Sequence, residues 1–416
     1  MPWNSGSATA YGGSIIMAKR KKRKDRRWLN TNGYTTHNKV KIVRGGADFF
    51  SCIEDIATNA RYSIHLQTYI FDEDETGNKV ADALIKAAKR NVLVYILVDG
   101  YASQKISAAF ISRLRDGGVH FEYFRPVVLS NFFYLGRRLH HKVIVADAQV
   151  CLVAGINISN RYNDFNNTPA WLDWAVYAEG QVAEPLNDVC TRIWNRSPLR
   201  KKCEIAPTNI PPVLHGEECM VRIRRNDWVY SHTQITRSYR ELFNRAHTHA
   251  TIMTSYFWPP QKLLRCMAAA SKRGVKIKLI LTAKADVPFA KYSERYLYAW
   301  LFRHKIEVYE YQQNILHGKI AIRDNEWITA GSYNVNNISA FASVELNLDI
   351  NNAAIATEMN YKFNAIISND CRQITESEFA ATNNLLKRFY YYLSYRFIHI
   401  VFYLFTFYFT QKTEKN

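Results

Sequence analysis

Residues 139–157 read LHHKVIVADAQVCLVAGIN, and residues 316–334 read LHGKIAIRDNEWITAGSYN. Both contain H-x-K-x4-D: His140, Lys142 and Asp147 in the first, His317, Lys319 and Asp324 in the second. Each continues into a small-residue turn and an asparagine, Ala154-Gly155-Ile156-Asn157 and Gly331-Ser332-Tyr333-Asn334, with the same offset from Asp to Asn. A lone His, Lys or Asp is ordinary, but two copies of the whole set at matching offsets mark an internal duplication.

The flanks repeat as well. IHLQTYIF (64–71) and TIMTSYFW (251–258) both read as a buried strand running into aromatic residues. Helical stretches ending in Lys-Arg follow, ALIKAAKRNV and CMAAASKRGV, and then apolar strands, LVYILVDG and KIKLILTA. After another helix come VHFEYF and IEVYEY, and only then the His-Lys-Asp motif. Strand and helix alternate twice over, which predicts an α/β fold of two duplicated domains. Each is expected to be a mainly parallel sheet flanked by helices, with one active site at their interface.

The formal net charge of +19 predicts anionic partners, either nucleic acid or an acidic membrane surface. Seven cysteines without C-x2-C spacing argue against a disulfide framework and against a zinc site, and fit a reducing, cytoplasmic location. Residues 1–35 read as a basic, disordered tail; Met17 opens MAKRKKRKDRR, and no long apolar run follows as a secretory signal would require. Residues 389–409, FYYYLSYRFIHIVFYLFTFYF, are interrupted by Arg396 and His399. The run after His399 falls short of the roughly 20 residues a bilayer span needs, so 381–416 is expected to lie in the membrane interface.

Phe124 aligns with Tyr311, yet the first His lies ten residues later than the second. The extra residues fall within Pro126–Leu139 and read as an exposed loop beside the motif. There Phe132, Phe133 and Leu135 are expected to dip into lipid while Arg137 and Arg138 meet headgroups.

The paired motif suits phosphodiester chemistry. Lysines and asparagines can surround phosphoryl oxygens and stabilise transition-state charge. One imidazole can attack phosphorus, and the other can protonate the leaving alcohol and deprotonate the incoming one. No metal and no cofactor is expected. Asp147 and Asp324 follow apolar strands, VIVAD and IAIRD, whose alternation leaves them at the far end, in a structural or turn role. Asp173 in WLDWAV and Glu345 in SVELNL are candidates to orient the histidines.

These residues resemble the phospholipase D superfamily, defined by H-x-K-x4-D followed by a Gly/Ser turn and Asn. The resemblance covers residues 36 to 375 and is strongest to bacterial cardiolipin synthases, in particular the short forms lacking two N-terminal transmembrane helices. It implies two phospholipase D-like halves, 36–205 and 206–380. The implied activity is transfer of a phosphatidyl group from one phosphatidylglycerol to another with release of glycerol, through a phosphohistidine. Its setting would be the cytoplasmic face of the inner membrane, peripheral or shallowly inserted, with no nucleic acid bound. The resemblance makes His140 the nucleophile and His317 the acid and base, with Lys142, Lys319, Asp147 and Asp324 in the catalytic set. Asn157, Asn334, Ser332, Gly155 and Gly331 are implied to bind substrate. Ala154 departs from the usual Gly, which narrows backbone freedom without abolishing the turn. The alternatives are a phospholipase D hydrolase, a phosphatidyltransferase using another alcohol, a nuclease of the same superfamily, and a scaffold with a decayed site.

Overall fold

The computed structural model describes residues 33–125, 137–165, 168–197, 201–203, 216, 218–230, 232–284, 288–336 and 343–413. The first half contributes strands β1 (Asn38–Arg44), β2 (Ser63–Thr68), β3 (Leu93–Asp99), β4 (His120–Phe124), β5 (Arg138–Leu139), β6 (Lys142–Ala146), β7 (Val150–Ala154) and β8 (Trp174–Gly180). The second contributes β9 (Met220–Asp227), β10 (His232–Thr233), β11 (His249–Thr254), β12 (Phe257–Trp258), β13 (Lys276–Thr282), β14 (Glu307–Tyr311), β15 (Lys319–Arg323), β16 (Trp327–Gly331), β17 (Val335–Asn336), β18 (Ser343–Asn351) and β19 (Cys371–Ile374).

The first sheet runs β1-β8-β7-β6-β2-β3-β4. The second repeats that path as β9-β18-β16-β15-β11-β13-β14, with β10 and β19 at its edges. The chain is α/β and duplicated, as its sequence predicts, but each sheet is mixed rather than mainly parallel. Only β2-β3-β4 and β11-β13-β14 are parallel within the two paths. The motif strands are antiparallel because tight hairpins join β6 to β7 and β15 to β16. Those hairpins turn on Asp147-Ala148 and Asp324-Asn325, all four at φ of 50–54°. Positive φ at both central residues is the two-residue turn whose twist matches its strands, and Asp and Asn tolerate it better than most residues.

Helices cover the sheets where apolar residues recur at three and four. Glu75–Lys89 buries Val80, Ala81, Leu84 and Ile85. Its first turn is capped by Asp74, which accepts from the Gly77 amide at 3.0 Å, and its last turn carries Lys86 and Lys89 against the helix dipole.

One apolar core joins the halves: Val143, Val145 and Val153 from the first pack in a single cluster with Ile320, Ile328, Leu346 and Leu348 from the second. The backbone stitches them further. β5 pairs in parallel with β18, and Leu172 bridges Leu316. Tyr34 and Thr35, assigned by sequence to a disordered tail, are buried on the second half. Thr35 exchanges backbone hydrogen bonds with Val221 at 2.8 and 2.9 Å, and the Tyr34 hydroxyl accepts from the Trp327 indole. A buried indole N–H needs such an acceptor.

The aromatic C-terminal segment is a helix, Leu385–Thr413, lying against the Pro288–Arg295 helix. Tyr292 meets Tyr390 and Tyr391, Tyr296 meets Tyr395, and Phe289 meets Phe397. Among the described residues no helix is long and apolar enough to cross a membrane.

Candidate active site

The two motifs meet where the halves exchange hydrogen bonds. The amides of His140 and His141 donate to the Val344 carbonyl at 3.0 and 2.9 Å, and the His317 amide donates to the Leu172 carbonyl at 2.8 Å. Each acceptor immediately precedes a carboxylate in sequence, Glu345 and Asp173. The side chains cross in the same sense. His140 Nδ1 lies 2.9 Å from Glu345 Oε1, and His317 Nδ1 lies 2.6 Å from Asp173 Oδ2. Each imidazole is therefore oriented by the other half. Glu345 is 0% and Asp173 1% exposed, whereas the imidazoles are 18% and 13% exposed. The rings alone reach solvent.

A carboxylate on Nδ1 fixes the tautomer and leaves Nε2 to act. Burial pushes the His140 pKa down against the pull of Glu345, with Lys142 adding to the fall. Burial and then Lys319 push His317 down to about 4 despite Asp173. Burial likewise brings Lys142 down to about 7, opposed by Glu345 and assisted by Lys319. Lys319 belongs to the other half, so the half-sites share one electrostatic environment.

The lysines are placed by the strand they open. Lys142 donates to the His140 carbonyl, and its ammonium lies 5.2 Å from the centre of the Tyr69 ring, which also packs edge-on against His140. Lys319 donates to the His317 carbonyl and to Ser255 Oγ at 3.4 Å, and lies 3.6 Å from Asp173. Tyr162 and Trp171 flank the His317 ring. Sequence reading did not single out Tyr69, Ser255, Tyr162 or Trp171. Only the aromatic ends of the repeated strands hinted at such residues.

The turns behave differently in the two halves. Ser332 donates to Glu345, bracing it against His140. Gly155 occupies the equivalent place, where a Cβ would stand 2.6 Å from Asp173 Oδ2, so the close carboxylate requires glycine. Gly331 lies against the Leu346 carbonyl and Asn347, again without room for a Cβ. Ala154 sits in the β7–β8 ladder opposite Ala175 and is not among the positive-φ residues, so its methyl is accommodated. Asn157 accepts from the Ile70 amide at 3.1 Å and donates to the Tyr162 hydroxyl at 2.9 Å. Asn334 Oδ1 is buried without a partner among the described residues.

The placement of Asp147 and Asp324 in the catalytic set is corrected by their position. Both carboxylates sit at the far end of the motif strand. Asp147 accepts from the amides of Arg61, Tyr62 and Ser63 at 2.7–2.9 Å. Asp324 accepts from those of His247, Thr248 and His249 at 2.8–3.0 Å. Burial raises the Asp324 pKa, but these amides outweigh it and hold the carboxyl below its usual value.

The headgroup role expected of Arg137 and Arg138 is corrected too. Arg137 is 4% exposed and forms a bidentate pair with Asp227, and Arg138 pairs with Asp99 at 3.4 Å. Two buried carboxylates need these cations. Phe132, Phe133 and Leu135 lie outside the described residues. All seven cysteines are free, and among the described residues no group of three or more His, Cys, Asp or Glu side chains could hold a metal ion.

Comparison with known proteins places this geometry. Residues 53–194 and 239–367 match the family model described as cardiolipin synthase, PLD-like domain. The chain belongs to this family and is a phosphatidyltransferase of the phospholipase D superfamily. It is 34% identical to cardiolipin synthase B of Salmonella typhimurium over 83% of this chain and 84% of that one. It is 30% identical to cardiolipin synthase B of Escherichia coli K12 over 82% and 83%. Its fold matches the crystal structure of phosphatidylserine synthase from Haemophilus influenzae with a TM-score of 0.64 at 15% identity, over 83% and 88% of the two chains.

Proposed function

We propose that this enzyme makes cardiolipin from two phosphatidylglycerol molecules, releasing glycerol through a phosphohistidine intermediate. The observation that carries the reading is the crossed pairing of His140 with Glu345 and His317 with Asp173, which presents two oriented imidazoles beside two lysines. In the first step the anionic phosphodiester raises the pKa of His317 so that its ring is protonated, Nε2 of His140 attacks phosphorus, and the glycerol oxygen leaves with the proton from His317. In the second step a hydroxyl of the acceptor lipid attacks, His317 takes its proton, and the P–N bond breaks. Lys142 and Lys319 neutralise the phosphoryl oxygens in both transition states. Exchanging one alcohol for another on phosphorus is close to energy-neutral, so no nucleotide is needed.

The reaction takes place at the cytoplasmic face of the inner membrane. The C-terminal helix supplies the contact. Leu385, Phe389, Leu393, Phe397 and Ile400 recur at three and four residues and are 47–81% exposed. Lys387, Arg388 and Arg396 accompany them on the same helix. Apolar side chains beside cations suit an anionic bilayer surface.

The test is product analysis with purified protein and phosphatidylglycerol liposomes in the presence of chelator, with and without ethanolamine. Cardiolipin and free glycerol are expected in equal amounts. Phosphatidic acid as sole product would make the enzyme a hydrolase, phosphatidylethanolamine would make it a transferase to a free alcohol, and DNA cleavage without lipid turnover would make it a nuclease.

A further inference from the structure

A cationic cluster lies beside the first half-site and takes no part in the chemistry above. Its base is the buried pair of Arg137 with Asp227. Arg196 adds a guanidinium 3.6 Å from the same carboxylate and stacks over the Tyr230 ring at 3.8 Å. Arg225 approaches His232 Nε2 at 3.4 Å and pairs with no carboxylate among the described residues. Burial and then Arg192 depress the Arg225 pKa, Arg196 adds to the fall, and Asp227 opposes it. Among the described residues Asp227 is the carboxylate paired with Arg137 and Arg196, so the group carries net positive charge. Arg196 is 30% exposed and Tyr230 45%, so the cluster reaches solvent.

Its backbone comes near that of the first half-site at two places. Arg137 lies three residues before His140, and Asn226, next to Asp227, is the ladder partner of Glu345. Arg137 and Arg225 also both contribute to lowering the pKa of His141, the residue between His140 and Lys142. On the His317 side Arg161 stacks over Tyr162 and Trp171, but its charge is balanced by Asp72 at 2.9 Å. An anion-binding group beside one half is unnecessary for the donor phosphate, which the proposed mechanism places between the two motifs.

We propose that Arg196 and Arg225, seated on the Arg137–Asp227 pair, bind the phosphodiester of the acceptor lipid while its free hydroxyl enters the active site. This rests on the phosphatidyl-transfer reading. Guanidinium forks match phosphate oxygens in charge and geometry. The acceptor's phosphate is one three-carbon alcohol away from the oxygen that attacks. That hydroxyl oxygen forms the new P–O bond, the P–N bond to the phosphohistidine breaks, and the proton passes to the second imidazole. The cluster thus selects an anionic lipid over water or a neutral alcohol as the acceptor.

The experiment is a partition assay: phosphatidylglycerol in mixed micelles with ethanol as competing acceptor, reading the ratio of cardiolipin to phosphatidylethanol. Both products arise from one phosphatidyl-enzyme, so the ratio reports acceptor binding alone. Arg196→Gln with Arg225→Gln should lower the ratio at least tenfold, and Arg196→Lys, which keeps the charge but not the fork, should lower it less than Arg196→Gln does. An unchanged ratio, with or without a fall in total turnover, overturns the inference and leaves the transfer reading intact. Wild-type enzyme that forms phosphatidylethanol but no cardiolipin overturns both. Inorganic phosphate equimolar with lipid should leave the wild-type ratio unchanged; a collapse with phosphate alone would assign the cluster to the free anion.

Discussion

Asp173 of the first half holds His317 of the second, with Oδ2 2.6 Å from Nδ1, and Glu345 returns the arrangement to His140 at 2.9 Å. Neither half owns a complete imidazole–carboxylate pair. Asp173→Asn and Glu345→Gln keep the shape of the contact but no longer require a proton on Nδ1. Each should lower kcat by about 10³-fold, as loss of the correct tautomer does in other imidazole–carboxylate sites. Steady-state turnover of phosphatidylglycerol checks this; a loss under tenfold would reduce the carboxylates to packing.

Gly155→Ser tests the same contact from behind. A Cβ at 155 would stand 2.6 Å from the carboxylate that holds His317. The substitution should cost activity on the order of 10²-fold at unchanged fold, because small misplacements of reacting groups are expensive. Far-ultraviolet circular dichroism and kcat together separate this from unfolding.

Asp147→Ala should behave in the opposite way. Three backbone amides lose a charged acceptor, which should cost about 3 kcal/mol of stability. Catalysis measured well below the melting temperature should stay within a few-fold of wild type. Urea unfolding and kcat measured on the same preparation decide whether this motif residue is structural.

The duplication, the α/β class, the histidines and the lysines were legible in the sequence, because they lie at fixed offsets in matched contexts. The two carboxylates lie at unequal distances, 16 residues after Asn157 and 11 after Asn334, and were legible only from their place on the strand that follows each asparagine. The crossing was not, since Asp173 and Glu345 follow their own motifs in sequence and only tertiary packing shows that each serves the other. Strand direction was misread because short apolar runs do not distinguish a parallel strand from a hairpin partner. The repeat alignment also slipped by one residue. The ladders match Ile64 with Ala250 as partners of Ala146 and Arg323, so Tyr69 corresponds to Ser255 rather than Tyr256. Composition alone suggested that Arg137 was a surface cation, and nothing local announced Asp227, 90 residues away.

Lys142 gives a pH signature of binding. With burial bringing its pKa down to about 7, its charge at pH 8 should be well below that of an ordinary lysine. An anionic phosphodiester raises that pKa, so binding at pH 8 should take up close to one proton, and binding below pH 6 almost none. Calorimetry with short-chain phosphatidylglycerol in two buffers of different ionisation enthalpy measures the uptake, and Lys142→Arg should abolish it.

Stability should depend on pH through two further imidazoles. Burial lowers His65 to about 4 and His141 to about 3, against an unfolded value of 6.5. Below pH 6.5 the unfolded chain binds protons that the folded chain refuses, so stability is full above pH 6.5 and falls as pH drops toward 4. The slope should approach ~1.4 kcal/mol per pH unit for each imidazole. Urea midpoints at pH 7.0 and 5.0 check the sign, and His65→Gln should flatten the slope.

The central claim is that one active site is assembled from both halves, and it is tested most directly by cardiolipin formation and glycerol release in His140→Ala and His317→Ala, each folded as wild type. Both variants should lose turnover by more than about 10³-fold. Retention of turnover within tenfold of wild type in either variant would contradict the claim.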